Sequence, residues 1–340
     1  MNMNRWVSAS IGAVLACAGL ATQAAKPQQW TFVDLSIPGA LGAEGKAVND
    51  HGAVVGEATF RNAFGDSARH VFLWQDGVMK DLGSPPGGNA FVQNIQVTDV
   101  NDRGDIAVTQ ASNAAVPFLW KDGAWQPLSF MGSITGVNRA DDAAGTYLPQ
   151  GSSHPRALIY VNGSPVDVGT LGGSSAVAWS INNHDAVVGS SSMTGDTSAH
   201  AFMYRDGAIV DMGILPGGRN SEARDVNDHG VAVGTCDLPN DNFRTVACVF
   251  EAGKPARMLF DVPGLHEAIA INNRGDVVGD FFNGKSFLYK DGVVTQLEDL
   301  DVVKAGGWSL APAGINDHGL IVGTAWRSGS YPHAFVLIPK

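Results

Sequence analysis

Between Trp30 and Pro339 the chain alternates short runs of branched and aromatic residues with Asn-Asp, Asp-Gly and Gly-rich punctuation, and no stretch carries an apolar stripe of helical period. A run of this kind reaches Ile or Val followed by Asn seven times: "VNDHG" at Val48, "VNDRG" at Val100, "VNRAD" at Val137, "INNHD" at Ile181, "VNDHG" at Val226, "INNRG" at Ile271 and "INDHG" at Ile315. The Asn-to-Asn spacings are 52, 37, 44, 45, 45 and 44 residues, the size of a supersecondary unit with its differences absorbed in loops.

Each unit predicts four strands and no helix. The Asn-Asp-x-Gly step suits a type I turn closed by a residue in the left-handed region, a three-residue hairpin connection. A branched strand such as "AVVG" or "LIVG" follows, then a loop of variable length, then an aromatic strand: "HVFLW" at His70, "PFLW" at Pro117, "HAFMY" at His200, "SFLY" at Ser286, "HAFVL" at His333. Asp76-Gly77, Asp122-Gly123, Asn162-Gly163, Asp206-Gly207 and Asp291-Gly292 then fit type I′ hairpin turns into a fourth strand, and a Gly-rich linker leads to the next unit. Four antiparallel strands per roughly 45 residues is the arithmetic of a propeller blade.

The last unit ends after its third strand, whereas "WTFVDL" (Trp30 to Leu35) reads as a fourth strand with no first three before it. Pairing the two completes a ring and removes an exposed sheet edge. The expected fold is all-β, one seven-bladed β-propeller over residues 26–340, closed by the N-terminal strand on the C-terminal blade. A linear stack is the alternative, but stacks favour polar caps at both ends, and these ends look complementary.

Residues 1–25 read as a secretory leader: Arg5, an apolar run from Trp6 to Leu20, and small residues Ala24 and Ala25. "VLAC", Val14 to Cys17, also resembles a lipobox, so lipid anchoring through Cys17 stands as the lesser alternative. No later stretch is apolar for long enough to span a bilayer. The expected location is periplasmic or extracellular.

Removing Arg5 from the 22 basic residues leaves 21 against 33 acidic ones, a net charge of −12, and no Lys/Arg stripe exists for a nucleic acid to bind. Cys236 and Cys248 flank "DLPNDNFRTVA"; residues symmetric about Asn242 in a hairpin face one another, and export favours a disulfide between them.

The phrases "HAFMYRDGAIVDMGILPGG" and "INDHGLIVG" resemble the HAF-repeat family of extracellular repeat proteins, and the resemblance covers the chain after the leader. His-Ala-Phe itself is complete only at His200 and His333. The resemblance implies export and repetition, with no catalytic residue to carry over.

Both turn types fall at one end of every blade, and the variable loops and linkers at the other. Ligand contacts concentrate on irregular loops held by a rigid scaffold, so the variable end and its channel mouth are the expected binding face. Lys46, Thr98, Thr135, Trp179, Arg224, Ile269 and Ala313 stand three residues before the repeat Asn, a position that tolerates any chemistry and is therefore expected to face the channel. The candidate ligand-binding residues are Lys46, Trp179 and Arg224 there, with Trp308 in the longest linker and Trp326 and Tyr331 beside the last variable loop. Loop aromatics of this kind stack on sugars or anchor proteins; buried packing is their competing use.

The repeated Asn and Asp residues fit local side-chain to backbone hydrogen bonding better than calcium, since no EF-hand or nonapeptide spacing occurs. His51, His229 and His318 lie in different blades and cannot converge on one zinc, so no metal and no cofactor are expected. Nucleophile-elbow, metalloprotease and phosphate-loop motifs are absent, and no catalytic residue is assigned. The leading expectation is a monomeric binding module for a carbohydrate or protein. A propeller hydrolase, lyase or lactonase on an extracellular carbohydrate or lactone, and a structural matrix protein, are the alternatives.

Overall fold

The computed structural model describes residues 28–61, 65, 67–87, 94–111, 115–239 and 241–340, the last span without the side chains of 241–243. The leader and Cys17 lie outside the described residues. Seven four-stranded antiparallel sheets form a seven-bladed β-propeller: blade I spans residues 42–83, II 94–127, III 132–167, IV 172–213, V 221–258 and VI 266–296. Blade VII takes its three inner strands from 309–339 and its outer strand, Trp30–Asp34, from the other end of the chain.

That closing strand pairs with His333–Pro339 in antiparallel register, Trp30 opposite Pro339 and Asp34 opposite Phe335. His333 Nδ1 lies 2.9 Å from the Asp34 carboxylate, which ties the two ends of the chain together. His70 with Asp81 and His200 with Asp211 repeat the contact at 2.9 Å. The His of the His-Ala-Phe step therefore clamps the third strand of a blade to the fourth. In blade III Arg156 replaces it, 2.9 Å from Asp167.

Turn geometry follows the sequence signals. Gly52, Gly104, Asp141, Asp185, Gly230, Gly275 and Gly319 occupy the left-handed position of the first hairpin, and Asp76, Asp122, Asn162, Asp206 and Asp291 open the second with positive φ. The Gly of "AVVG" answers to a close approach: a Cβ on Gly56 would sit 2.0 Å from the Glu44 carbonyl oxygen and 2.7 Å from the Phe72 ring. Gly56, Gly189, Gly279 and Gly323 lie opposite Phe72, Phe202, Phe287 and Phe335, each fully buried. Glycine on the second strand thus makes room for the aromatic of the third, and the core lies between neighbouring blades.

The repeat Asn does two jobs. In all seven turns its Oδ1 accepts the N–H groups two and four residues on, at 2.9 to 3.1 Å. Its Nδ2 donates to the main-chain oxygen of the next blade's Asn, Asn49 to Asn101 and onward to Asn316, which returns to Asn49, at 2.8 to 3.3 Å. Among short side chains asparagine carries its acceptor and its donor on separate atoms, so it can face the turn and the next blade at once. The ring is closed by seven amides whose oxygens and nitrogens are committed to the fold.

Two expectations are corrected. The linker from blade VI to VII holds a short 3-10 turn, Leu297–Asp299, and a helix α1, Asp301–Gly306, ended by Gly307 in the left-handed conformation. Linkers are free of the sheet's hydrogen-bond ladder, so this one could coil. The cysteines do form a disulfide, with a Cα–Cα distance of 5.9 Å. However, a register shift at Asp237/Leu238 puts Cys236 opposite Val246 and Cys248 opposite Gly234, so the bridge is diagonal and not symmetric about Asn242. Both cysteines are buried, and closing this loop contributes about 2 to 3 kcal/mol.

Candidate functional site

In every blade the inner strand carries a β-bulge at one place. The register steps over Lys46, Thr98, Thr135, Trp179, Arg224, Ile269 and Ala313, leaving each as the extra residue of its strand. A bulge re-aims the side chain it carries. All seven line one chamber of the central channel, 210 Å³ in volume, together with Asp99, Ser180 and Asp225. The structure thus brings Lys46, Trp179 and Arg224 together as expected from their place before the repeat Asn.

The two cations of the chamber are each paired with a carboxylate. Lys46 Nζ lies 2.6 Å from Glu44, and Arg224 pairs with Glu222 while its guanidinium sits 4.8 Å above the Trp179 ring. Asp99 and Asp225 act as further blade latches: Asp99 accepts the Val100 and Val137 N–H groups, and Asp225 accepts those of Val226 and Ile271 and the Ser180 hydroxyl. Burial nonetheless pushes Asp99 up to about 6 and raises Asp225 as well. Trp179 Nε1, Thr135 Oγ1 and Arg224 Nε are buried and make no hydrogen bond among the described residues; Arg224 Nε faces Glu222 in its ion pair, which leaves the first two without any partner.

Beyond this chamber, at the turn end, a second cavity of 180 Å³ is ringed by the repeat Asn and the residue after it. Asp50, Asn183, Asp228, Asn273 and Asp317 there carry blade-to-blade bonds from backbone N–H to side-chain oxygen, and Arg139 bridges to Asp102. Burial raises the Asp50 pKa, and Asp317 beside it adds to the effect. These oxygens are spent on the ring.

The loop aromatics divide. Trp326 is 40% and Tyr331 63% exposed, both at the variable end of blade VII. Trp308 is 8% exposed, stacked on Phe32 at 5.3 Å, edge-on to His333 at 5.2 Å and covered by Arg327. It is removed from the ligand-binding set, because α1 and the closing strand enclose it in the seam. Sequence reasoning missed the two orphan atoms, since hydrogen-bond debt arises only when seven strands converge. It also missed Asp280.

In blades I, II and III the second strand carries Glu57, Thr109 or Thr146, whose side chain accepts the N–H of Val97, Ile134 or Ala178 in the next blade. The corresponding pair across blades VI and VII is Asp280 and Pro312, and proline has no N–H to give. Asp280 Oδ1 is buried without a partner among the described residues. Burial, then Glu267 and Glu298, push Asp280 up to about 7 from an ordinary 3.8. The folded state thus holds a proton that the unfolded chain releases near pH 4. The associated stability is complete below that pH and is lost as pH rises through about 7. Asp280→Asn is expected to stabilise the protein by about 2 kcal/mol at pH 8, after discounting for partial exposure, and by little at pH 4.5. Thermal melts at the two pH values check it; equal shifts would refute the assignment.

No family model matches the chain and no curated protein matches its sequence. Among solved structures, the β-propeller domain of the Trilobed protease from Pyrococcus furiosus is similar with a TM-score of 0.60 and 10% identity, over 88% of this chain and 94% of that one. TolB from Acinetobacter baumannii is similar with a TM-score of 0.43 and 9% identity, over 89% of this chain and 65% of its own. At these identities the likeness is one of fold alone.

Proposed function

We propose that the protein is an exported, non-catalytic ligand-binding propeller whose channel chamber takes a small, neutral, hydroxyl-rich molecule of carbohydrate type. The observation that carries this reading is the pair of buried, partnerless polar atoms, Trp179 Nε1 and Thr135 Oγ1, in two residues that line one 210 Å³ chamber. Buried polar groups in folded proteins find partners, and an exception calls for water or a ligand. An indole N–H asks for an acceptor and a hydroxyl takes either role, so ligand hydroxyls match both. The pairwise-neutralised cations and the flanking Asp99 and Asp225 give an anion little to bind. Export is supported by the disulfide and by the HAF-type repeats; among the described residues no helix is long and apolar enough to cross a membrane.

Calorimetric titration with neutral mono- and oligosaccharides tests the reading. Trp179→Ala is expected to weaken binding at least 10-fold and Thr135→Val about 5-fold, the worth of one hydrogen bond of roughly 1 kcal/mol. Absence of binding to every saccharide, or unchanged affinity in Trp179→Ala, would sink it. The enzyme reading has one observation in its favour: Asp99 near 6 is in the range of a general acid. Product appearing in the same titrations would bring that reading forward.

A further inference from the structure

We infer that the ligand is an oligosaccharide extending from the chamber into a second cleft at the seam of blades VII and I, with Tyr331 as its distal platform; this rests on the chamber reading above. The cleft has a volume of 200 Å³, and its lining includes Leu41, Glu44, Glu57, Thr59, Tyr331 and Pro332. It adjoins the chamber through a single ion pair. Glu44 lines the cleft, Lys46 lines the chamber, and the two are 2.6 Å apart on the same inner strand, Gly42–Val48. An extended molecule that displaced nothing but solvent around that pair would occupy both.

The chemistry of the cleft suits sugar rings. Tyr331, Leu41 and Pro332 offer an apolar and aromatic side for C–H faces, and Tyr331 is 63% exposed, a platform held open. Glu44 and Thr59 offer oxygen acceptors for ring hydroxyls, and Glu57 backs them. Glu57 is rigid: its side chain is 3% exposed, Oε1 takes the Val97 N–H at 2.8 Å, and Oε2 lies 2.7 Å from Arg69. The lining holds no Lys or Arg among the described residues, and its two carboxylates, opposed in register, are already paired with Lys46 and Arg69, so nothing there holds a uronate or a sulfate and the occupant is uncharged. Each cavity has room for about seven waters at ~30 Å³ apiece, close to one pyranose ring. A chain of about two or three sugars spans the two.

The test uses the full chain and soluble ladders, one to six sugars long, of β-1,4-glucan, α-1,4-glucan, β-1,4-mannan and N-acetylglucosamine, with a polyuronate and a mixed peptide library as controls. Affinity is expected to rise at least 10-fold from mono- to tetrasaccharide. Tyr331→Ala should flatten that rise while leaving monosaccharide affinity within 2-fold and the melting temperature unchanged, and Tyr331→Phe should restore it. Length-independent binding, a rise that survives Tyr331→Ala, or preference for the polyuronate or a peptide overturns the inference. Should one of these results appear while Trp179→Ala still weakens binding, the extension alone falls; if no neutral saccharide binds the wild-type chain, both fall.

Discussion

Asn182→Ala is expected to destabilise the propeller by about 2 to 4 kcal/mol, from two backbone N–H groups left unpaired at ~1 to 3 kcal/mol each and one donor lost to a third group, less some relaxation. Those groups are the N–H of His184, half-buried, and of Ala186, buried, bonded to Oδ1 at 2.9 and 3.0 Å, and the Asn227 carbonyl, bonded to Nδ2 at 2.9 Å and left with the Gly230 N–H at 3.0 Å. Asn182 is 6% exposed, so water makes a poor substitute. The melting temperature should fall by roughly 5 to 15 °C. Asn182→Asp separates the two functions of the residue. An aspartate keeps both turn bonds but sets a carboxylate oxygen against the Asn227 carbonyl, so its folded-state pKa must rise. That variant should be destabilised at pH 8 and recover as pH falls and the protonated oxygen regains a donor. An alanine variant that melts with the wild type, or an aspartate variant insensitive to pH, would show that the seven-amide ring contributes nothing to stability.

Most of the architecture was written locally. Asp-Gly and Asn-Asp-x-Gly state their own turns because only certain residues tolerate positive φ, and the Gly opposite each buried Phe is visible as "VVG" before "FLW". Ring closure was legible because a strand lacking partners at one end matched a blade lacking a strand at the other. The channel position of Trp179 and Arg224 was legible too, as a place where the repeat stops constraining chemistry. What escaped was relational. That the repeat Asn reaches the next blade depends on the spacing between two turns 37 to 52 residues apart. That Asp280 is stranded depends on Pro312 standing where the next blade would have offered an N–H. Trp308 looked like a loop aromatic because nothing local announces that α1 folds back over the seam.

Trp308→Ala is the second large effect, and it falls on stability and not on ligand affinity. The indole joins Trp30, Leu297, Val303, Phe335 and Leu337 in one buried cluster and stacks on Phe32 of the closing strand. Truncating a buried tryptophan costs about 3 to 5 kcal/mol through lost burial and the cavity left behind. The cavity opens beside the ladder that joins the closing strand to the last blade, so the loss should be local before it is global. Amide exchange is expected to quicken first in residues 30–34 and 335–339, ahead of blades II to V. Trp326→Ala, at a side chain 40% exposed on the same blade, should change stability by no more than about 0.5 kcal/mol. Saccharide titration of Trp308→Ala well below its melting temperature should match the wild type. If affinity instead disappears while the melt and the exchange pattern stay intact, Trp308 belongs to the binding face, and the seam owes its stability to the backbone ladder and the His333–Asp34 clamp alone.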